Sequence, residues 1–202
     1  MKLTYLFLFI TCICFAQEKD ILLIGNYEPI CIEGENIQRV EVLPDDLNNY
    51  QIIMLFSSAS SRLNNNDLER IIDFVEHGGG IYSGSENWPL IAESNQLTQK
   101  IYKKESFGNY HSDKIEFAST YGNLQLENLS DLPAGKTTSA FPLDYRLKVE
   151  AWVSDQALIL SGNIGKGRII IDGGYSRFYC ENTNELSVEM LSRFITYLNS
   201  TK

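Results

Sequence analysis

Two apolar runs with no polar interruption constrain this chain more than anything else in it. Ile21-Leu22-Leu23-Ile24 stops at Gly25-Asn26, and Ile52-Ile53-Met54-Leu55-Phe56 stops at Ser57-Ser58-Ala59-Ser60-Ser61. A strand with one face in water alternates apolar and polar residues. A run that is apolar at every position needs cover on both faces, as a central strand of a parallel sheet has. Parallel neighbours must be joined by crossovers, usually helices. One such crossover is legible: Asn66 or Asp67 caps a helix whose apolar positions Leu68, Ile71, Ile72 and Val75 keep three-and-four spacing, and His77-Gly78-Gly79-Gly80 ends it. Ile81-Tyr82-Ser83 then starts another strand, and Val40-Glu41-Val42-Leu43 reads as a weaker strand nearer an edge. The alternation predicts an α/β domain with a mostly parallel sheet and helices on both faces.

The second half differs. Residues 100–148 carry Gly, Asn, Asp, Pro and Ser at short intervals, which predicts irregular structure with one or two edge strands, either a lid or a variable insertion. Order returns with Val149–Val153 and Ala157–Ser161. The Gly-rich turn Asn163-Ile164-Gly165-Lys166-Gly167 leads into Arg168–Asp172, so a late antiparallel hairpin is expected. A closing helix from Glu185 to Leu198 places Leu186, Met190, Leu191, Phe194, Ile195 and Leu198 on one face.

Before all of this stands an address. Met1-Lys2 and an uncharged apolar run to Phe15, with Ala16 before Gln17, have the form of a secretory signal peptide over residues 1–17, cleaved near Ala16-Gln17. The run is too short to span a bilayer. The expectation is a periplasmic or secreted protein whose mature chain, residues 18–202, forms one domain without a transmembrane segment. Cys12 and Cys14 leave with the leader, and Cys31 and Cys180 remain. In an oxidising compartment two cysteines either bond or stay as buried thiols, and their spacing does not decide between these. A bond would close a loop worth about 4 to 5 kcal/mol in the chain-entropy account.

The charge balance removes whole classes of partner. With 26 acidic against 17 basic residues, a net charge of -9 and no basic cluster, the chain lacks the stripe that nucleic acid or anionic lipid requires. The motifs remove others. Ser161-Gly162-Asn163-Ile164-Gly165-Lys166-Gly167 has two residues where a phosphate loop needs four, and a Gly where it needs Ser or Thr. His77 and His111 are the only histidines, and neither has a partner at ligand spacing, so no metal is expected. Tyr82-Ser83-Gly84-Ser85-Glu86-Asn87-Trp88 lies where a strand hands over to the next element, the place where open α/β sheets bind ligands. Neither Ser83 nor Ser85 has the flanking small residues of a nucleophile elbow, and only His111 could serve as base.

The order of elements, the helix end Phe74-Val75-Glu76-His77-Gly78-Gly79-Gly80, and the late Gly165-Lys166-Gly167-Arg168-Ile169-Ile170-Ile171-Asp172-Gly173-Gly174-Tyr175 before a C-terminal helix resemble the class I glutamine amidotransferase-like superfamily, in particular its ThuA-like branch. The resemblance covers about Ile21 to Leu198. It implies a flavodoxin-like three-layer sandwich. Catalytic members carry Cys on the turn that reads Ser83-Gly84-Ser85 here, and His then Glu after the last strand, where Gly174-Tyr175-Ser176-Arg177-Phe178-Tyr179-Cys180-Glu181 has no His. The resemblance therefore implies no catalytic residues, no cofactor and no glutaminase activity. It gathers Asn26, Tyr27, Ser58, Ser85, Glu86, Asn87 and Arg177 at one edge of the sheet, as candidate contacts for a small polar molecule or glycan, or for an envelope protein. It also brings Cys31 and Cys180 to that edge, where a disulfide would lock the mouth. The rival expectations are a hydrolase of carbohydrate or ester, using Ser85 with Glu86 or His111, or pairing Glu86 with Asp172 or Glu181, and a purely structural interaction module.

Overall fold

In the computed structural model, residues 20–34, 36–111, 115–117, 122–129, 132, 134, 135 and 137–200 are described; the expected signal peptide, residues 1–17, lies outside them. The two apolar runs are β1 (Ile21–Gly25) and β3 (Ile52–Phe56), each buried at every position. They pair in parallel, with β2 (Ile37–Val40) on the outer side of β1. Next come α1 (Asn65–Glu76), β4 (Gly80–Gly84), α2 (Ala92–Tyr102), and the short strands β5 (Phe107–Tyr110), β6 (Glu116–Phe117) and β7 (Thr138–Ala140). The chain closes with β8 (Leu147–Val153), β9 (Gln156–Ile164), β10 (Gly167–Asp172), a 3-10 turn (Tyr175–Phe178) and α3 (Glu185–Asn199). The main sheet has eight strands in the order β2-β1-β3-β4-β10-β9-β8-β6, and β5 pairs with β7 apart from it. The strands from β2 to β10 run parallel, and β9, β8 and β6 follow antiparallel.

Side chains alternate across a strand, so each buried run feeds two cores. Leu22, Ile24, Ile53, Leu55, Ile81, Ile169 and Ile171 meet Leu68, Ile71 and Val75 of α1 and Leu97 of α2. Ile21, Leu23, Ile52, Met54, Phe56, Tyr82 and Ile170 meet Met190, Phe194 and Leu198 of α3 on the other face. Register then fixes where the strands end. Gly25 pairs with Phe56, Phe56 with Gly84, and Gly84 with Asp172, so four parallel strands finish in one row.

Several boundaries depart from the sequence expectation. Helix α1 starts earlier, because Asn64 accepts from the backbone N–H of Asn66 (2.8 Å) and Asp67 (3.1 Å) while Asp67 accepts from the N–H of Asn64 (3.0 Å). That reciprocal capping box leaves Asn66 and Asp67 inside the first turn. The edge strand is Ile37–Val40, so Glu41, Val42 and Leu43 lie beyond it, and Leu43 is buried as a loop anchor. Ser161 to Ile164 extend β9, and only Gly165-Lys166 turn. Residues 100–102, expected to be irregular, are the last turn of α2. That helix escapes hydrophobic periodicity because its buried face is part polar: Glu93, Ser94 and Thr98 are buried beside Leu97 and Tyr102.

Candidate functional site

Because the four strands end level, the loops after them leave the sheet side by side. They start at Asn26, Ser57, Ser85 and Gly173. Gly25 (φ +94) turns the first loop back under the second: a Cβ there would strike the carbonyl oxygen of Phe56. The Asn26 N–H donates to that same oxygen.

At the centre is a buried ion pair. Arg177 Nη1 lies 2.6 Å from Asp172 Oδ2, and both side chains are fully enclosed. Tyr82 donates its hydroxyl to the same oxygen at 2.8 Å, the N–H of Gly174 donates to Oδ1 at 3.0 Å, and Arg177 Nη2 donates to the carbonyl of Ala134. Desolvation, reinforced by Asp172, holds the Tyr82 phenol well above its usual range.

Beside this pair stand the residues of the third loop. Ser85 Oγ is 3.0 Å from Ser139 Oγ and 3.2 Å from the carbonyl of Asp172. His77 ends α1, ahead of β4 and so at the opposite end of that strand, and His111 is exposed just past β5. Ser83 is bonded to Ser94 of α2 at 2.9 Å. Both hydroxyls, which lack the flanking residues of an elbow, are therefore committed to neighbouring hydroxyls and carbonyls.

Glu86 is only 2% exposed. Its Oε1 accepts the N–H of Ser176 at 2.5 Å, and its Oε2 has Thr137 Oγ1 at 3.5 Å, a hydroxyl that donates instead to Asn87 Oδ1 at 2.6 Å. Burial pushes its carboxyl up to about 7, with Asp172 adding to the rise, while the hydrogen bonds from Ser176 and the charge of Arg177 oppose it. Next to it Tyr175 donates its hydroxyl to the carbonyl of Ser57 (2.6 Å) and accepts from Asn26 Nδ2 (3.2 Å), and its ring meets Tyr179 edge-on at 5.9 Å. Burial and the charge of Glu86 both hold the Tyr175 and Tyr179 phenols high.

The expected residues thus divide. Asn26, Ser85, Glu86, Asn87 and Arg177 join one network, with Asn26 and Asn87 on its partly open rim. Tyr27 is half-buried beside them under the guanidinium of Arg39. Ser58 is drawn away toward α2, where its N–H (2.7 Å) and hydroxyl (2.5 Å) donate to the buried carboxylate of Glu93. Arg177 and Ser85 are enclosed. Trp88 stands 76% exposed at the rim. Glu181 is exposed, and Asp172 is occupied by Arg177 and Tyr82, so neither forms an open carboxylate pair with Glu86.

Sequence reading missed Thr137, Ser139 and Ala134, which arrive from the segment expected to be irregular. Its residues 137–140 pass over the strand ends: Ser139 donates its N–H to the carbonyl of Gly173, and a Cβ on Gly173 would collide with the carbonyl of Ser139. The bare Gly173-Gly174 pair was the available signal. The first and fourth loops are also stapled: Cys31 and Cys180 are disulfide-bonded with Cα atoms 4.7 Å apart, and the N–H of Cys31 donates to Phe178 while that of Cys180 donates to Pro29. Among the described residues no group of three or more His, Cys, Asp or Glu could hold a metal, and no helix is long and apolar enough to cross a membrane.

No protein-family model and no curated protein sequence matches the chain. Solved structures do. A cytoplasmic protein from Salmonella typhimurium superposes with a TM-score of 0.65 at 12% identity, over 89% of this chain and 98% of that one. A ThuA-like protein from Bacteroides uniformis superposes at 0.55 with 11% identity, over 91% and 92%. The chain has a ThuA-like fold. A β-galactosidase from Bacillus circulans sp. alkalophilus matches at 0.61 and 11% identity over 89% of this chain, but over only 31% of its own length, so the ThuA-like fold occurs there as one part of a larger protein. At such identities the likeness speaks for the fold alone.

Proposed function

We propose that the chain is a catalytically inactive, amidotransferase-like domain that works in the periplasm or outside the cell and binds a small polar ligand or glycan at the carboxyl edge of its sheet. The observation that carries this reading is the division of labour at that edge. The hydroxyls a hydrolase would need are buried, Ser83 bonded to Ser94 and Ser85 to Ser139 and the carbonyl of Asp172, whereas Asn26, Tyr27, Asn87 and Trp88 keep polar and aromatic surface open at that edge. An aromatic face beside amides suits a sugar ring. The signal-peptide pattern of residues 1–17 supports an extracytoplasmic address, and so does a disulfide with one exposed cysteine. In this reading the sheet and its helices are a flavodoxin-like three-layer scaffold whose strand ends present the rim.

A thermal-shift screen against mono- and oligosaccharides tests it. A ligand at a hundred times its dissociation constant adds about 2.7 kcal/mol of stability. The shift should vanish in Trp88→Ala and Asn87→Ala and persist in Tyr145→Ala. Labelling by a fluorophosphonate that disappears in Ser85→Ala would instead establish the hydrolase. Docking on an envelope protein is a second reading, favoured by Tyr145 at 96% and Leu143 at 62% exposure on a loop tied down by Asp144.

A further inference from the structure

The opposite end of the sheet holds a second cavity that shares no residue with the rim. Arg168 pairs with Gly80 at the start of β4, whereas Asp172 pairs with Gly84 at its end, so Arg168 stands at the far end of these strands. There α3 and residues 123–128 border an open cavity of about 420 Å³, a size that admits a small molecule. Two guanidiniums line it, and main-chain carbonyls fix both. Arg168 stacks on the ring of Tyr197 at 4.7 Å and donates Nη1 to the carbonyl of Tyr197 (2.9 Å) and to the hydroxyl of Ser200. Arg193 donates Nε to Glu189 at 2.9 Å and Nη1 to the carbonyl of Gln125. Among the described residues, Arg168 has no carboxylate partner, its Nε and Nη2 have no acceptor, and Nη2 of Arg193 has none either.

We infer that this cavity binds a small hydroxylated carboxylic acid of the sugar-acid type, whose carboxylate takes the Nε and Nη2 side of Arg168. That side offers two parallel N–H donors, the fork that holds a carboxylate bidentately, and the stack on Tyr197 has already set its plane. Arg193 Nη2 adds a second cationic donor. The amides of Gln125 and Asn128 and the hydroxyl of Thr196 line the remainder and suit ligand hydroxyls. The surrounding charge selects a monoanion. Glu127 and Glu189 also line the cavity, and α3 ends beside it with the negative pole of its dipole. A carboxylate matches the uncommitted fork of Arg168, whereas a phosphate dianion would meet two glutamates and a helix C-terminus with no further cation to offset them.

The experiment titrates the purified chain with glucuronate and gluconate by calorimetry and ligand-observed NMR, with glucose as the neutral counterpart and glucose 6-phosphate as the dianion. Glucuronate should bind about tenfold more tightly than glucose or glucose 6-phosphate, and its affinity should fall as sodium chloride is raised. Arg168→Lys should cost about tenfold, because lysine keeps the charge but not the fork. Lysine still carries a donor for the end of α3, so the melting temperature of this variant should match that of the natural chain. Should it unfold, Arg193→Gln reads the same cavity from a side chain that is 23% exposed, and glucuronate should weaken there as well. Glucuronate binding that survives both variants would overturn the inference, as would silence from both sugar acids with the chain folded. Glucuronate binding lost in Trp88→Ala but kept in Arg168→Lys would place it at the rim and overturn the inference while supporting the proposed function. Tighter binding of glucose 6-phosphate than of glucuronate would overturn the choice of a monoanion.

Discussion

Two carboxylates in this molecule are pushed in opposite directions, and the contrast separates its two working regions. Glu86, at the sheet edge, is buried beside an arginine already paired to Asp172, and its carboxyl rises to about 7. Asp144, on the loop before β8, receives Arg146 through Nε (2.8 Å) and Nη2 (2.9 Å) and Lys104 at 2.9 Å, and these hold it well below the usual carboxylate range despite some burial. Burial alone does not set the outcome; the supply of dedicated donors does. Asp144 has two cations and the N–H of Arg146 to itself. Glu86 has the backbone N–H and the side chain of Ser176, and a cation whose nearer claim is Asp172. A carboxylate held by two cations fixes a loop and stays ionised, and one held in a dry site by a single neutral residue keeps its proton to higher pH.

The largest test of this contrast removes the guanidinium from the buried side. Arg177→Met strips Asp172 of its counter-charge inside a dry network, and breaking a buried pair in this way costs about 3 to 5 kcal/mol. Urea unfolding at pH 7 should show that loss, and adding Asp172→Asn should recover part of it. A loss under about 1 kcal/mol would mean that Asp172 is reached by water and that the network is looser than its distances indicate. Next in size is Glu86→Gln. An acid raised from 4.5 to about 7 by folding leaves the native state holding a proton that the unfolded chain has released, so Glu86 costs nothing at pH 4.5 and destabilises increasingly as pH rises through 7. At pH 8 the cost is on the order of 3 kcal/mol. The variant should match the natural chain near pH 4.5 and exceed it by up to that amount at pH 8. Parallel stability curves across this range would break the contrast.

The parallel half of the molecule was legible because every position of β1 and β3 is apolar, which only a doubly covered strand explains, and α1 and α3 keep their apolar stripes. The site was half legible. Glu86 and Arg177 follow directly from the strand ends, since a chain that leaves a sheet there must place its first few residues at that edge. Ser58 could not be assigned, because its direction depends on Glu93, and Glu93 sits on a helix whose buried face is polar. Thr137 and Ser139 were invisible for a related reason: a strap held by backbone bonds to Gly173 and by a neighbour's hydroxyl carries no hydrophobic period. The β8–β9 turn shows the same limit on a smaller scale. Ser154 (φ 47) and Asp155 (φ 61) take left-handed conformations without glycine, and a hairpin there has little local signature.

The surface side of the contrast predicts the smallest effect and the opposite dependence on pH. Arg146 is 37% exposed and Lys104 32%, so water screens both and their grip on Asp144 contributes only about 1 to 2 kcal/mol. Asp144 is lowered by folding, so this contribution is fully present above the unfolded carboxyl value and fades as pH falls toward the folded one. Asp144→Asn should therefore destabilise at pH 7, by an amount that shrinks as pH falls below the unfolded carboxyl value toward the much lower folded one, and soften in high salt, where Glu86→Gln would not. The loop carrying Leu143 and Tyr145 should loosen with it, read as faster amide exchange at Arg146, whose N–H donates to Asp144 at 3.0 Å. If instead Asp144→Asn and Glu86→Gln shift stability in the same direction at pH 8, donor supply is not what distinguishes the two carboxylates.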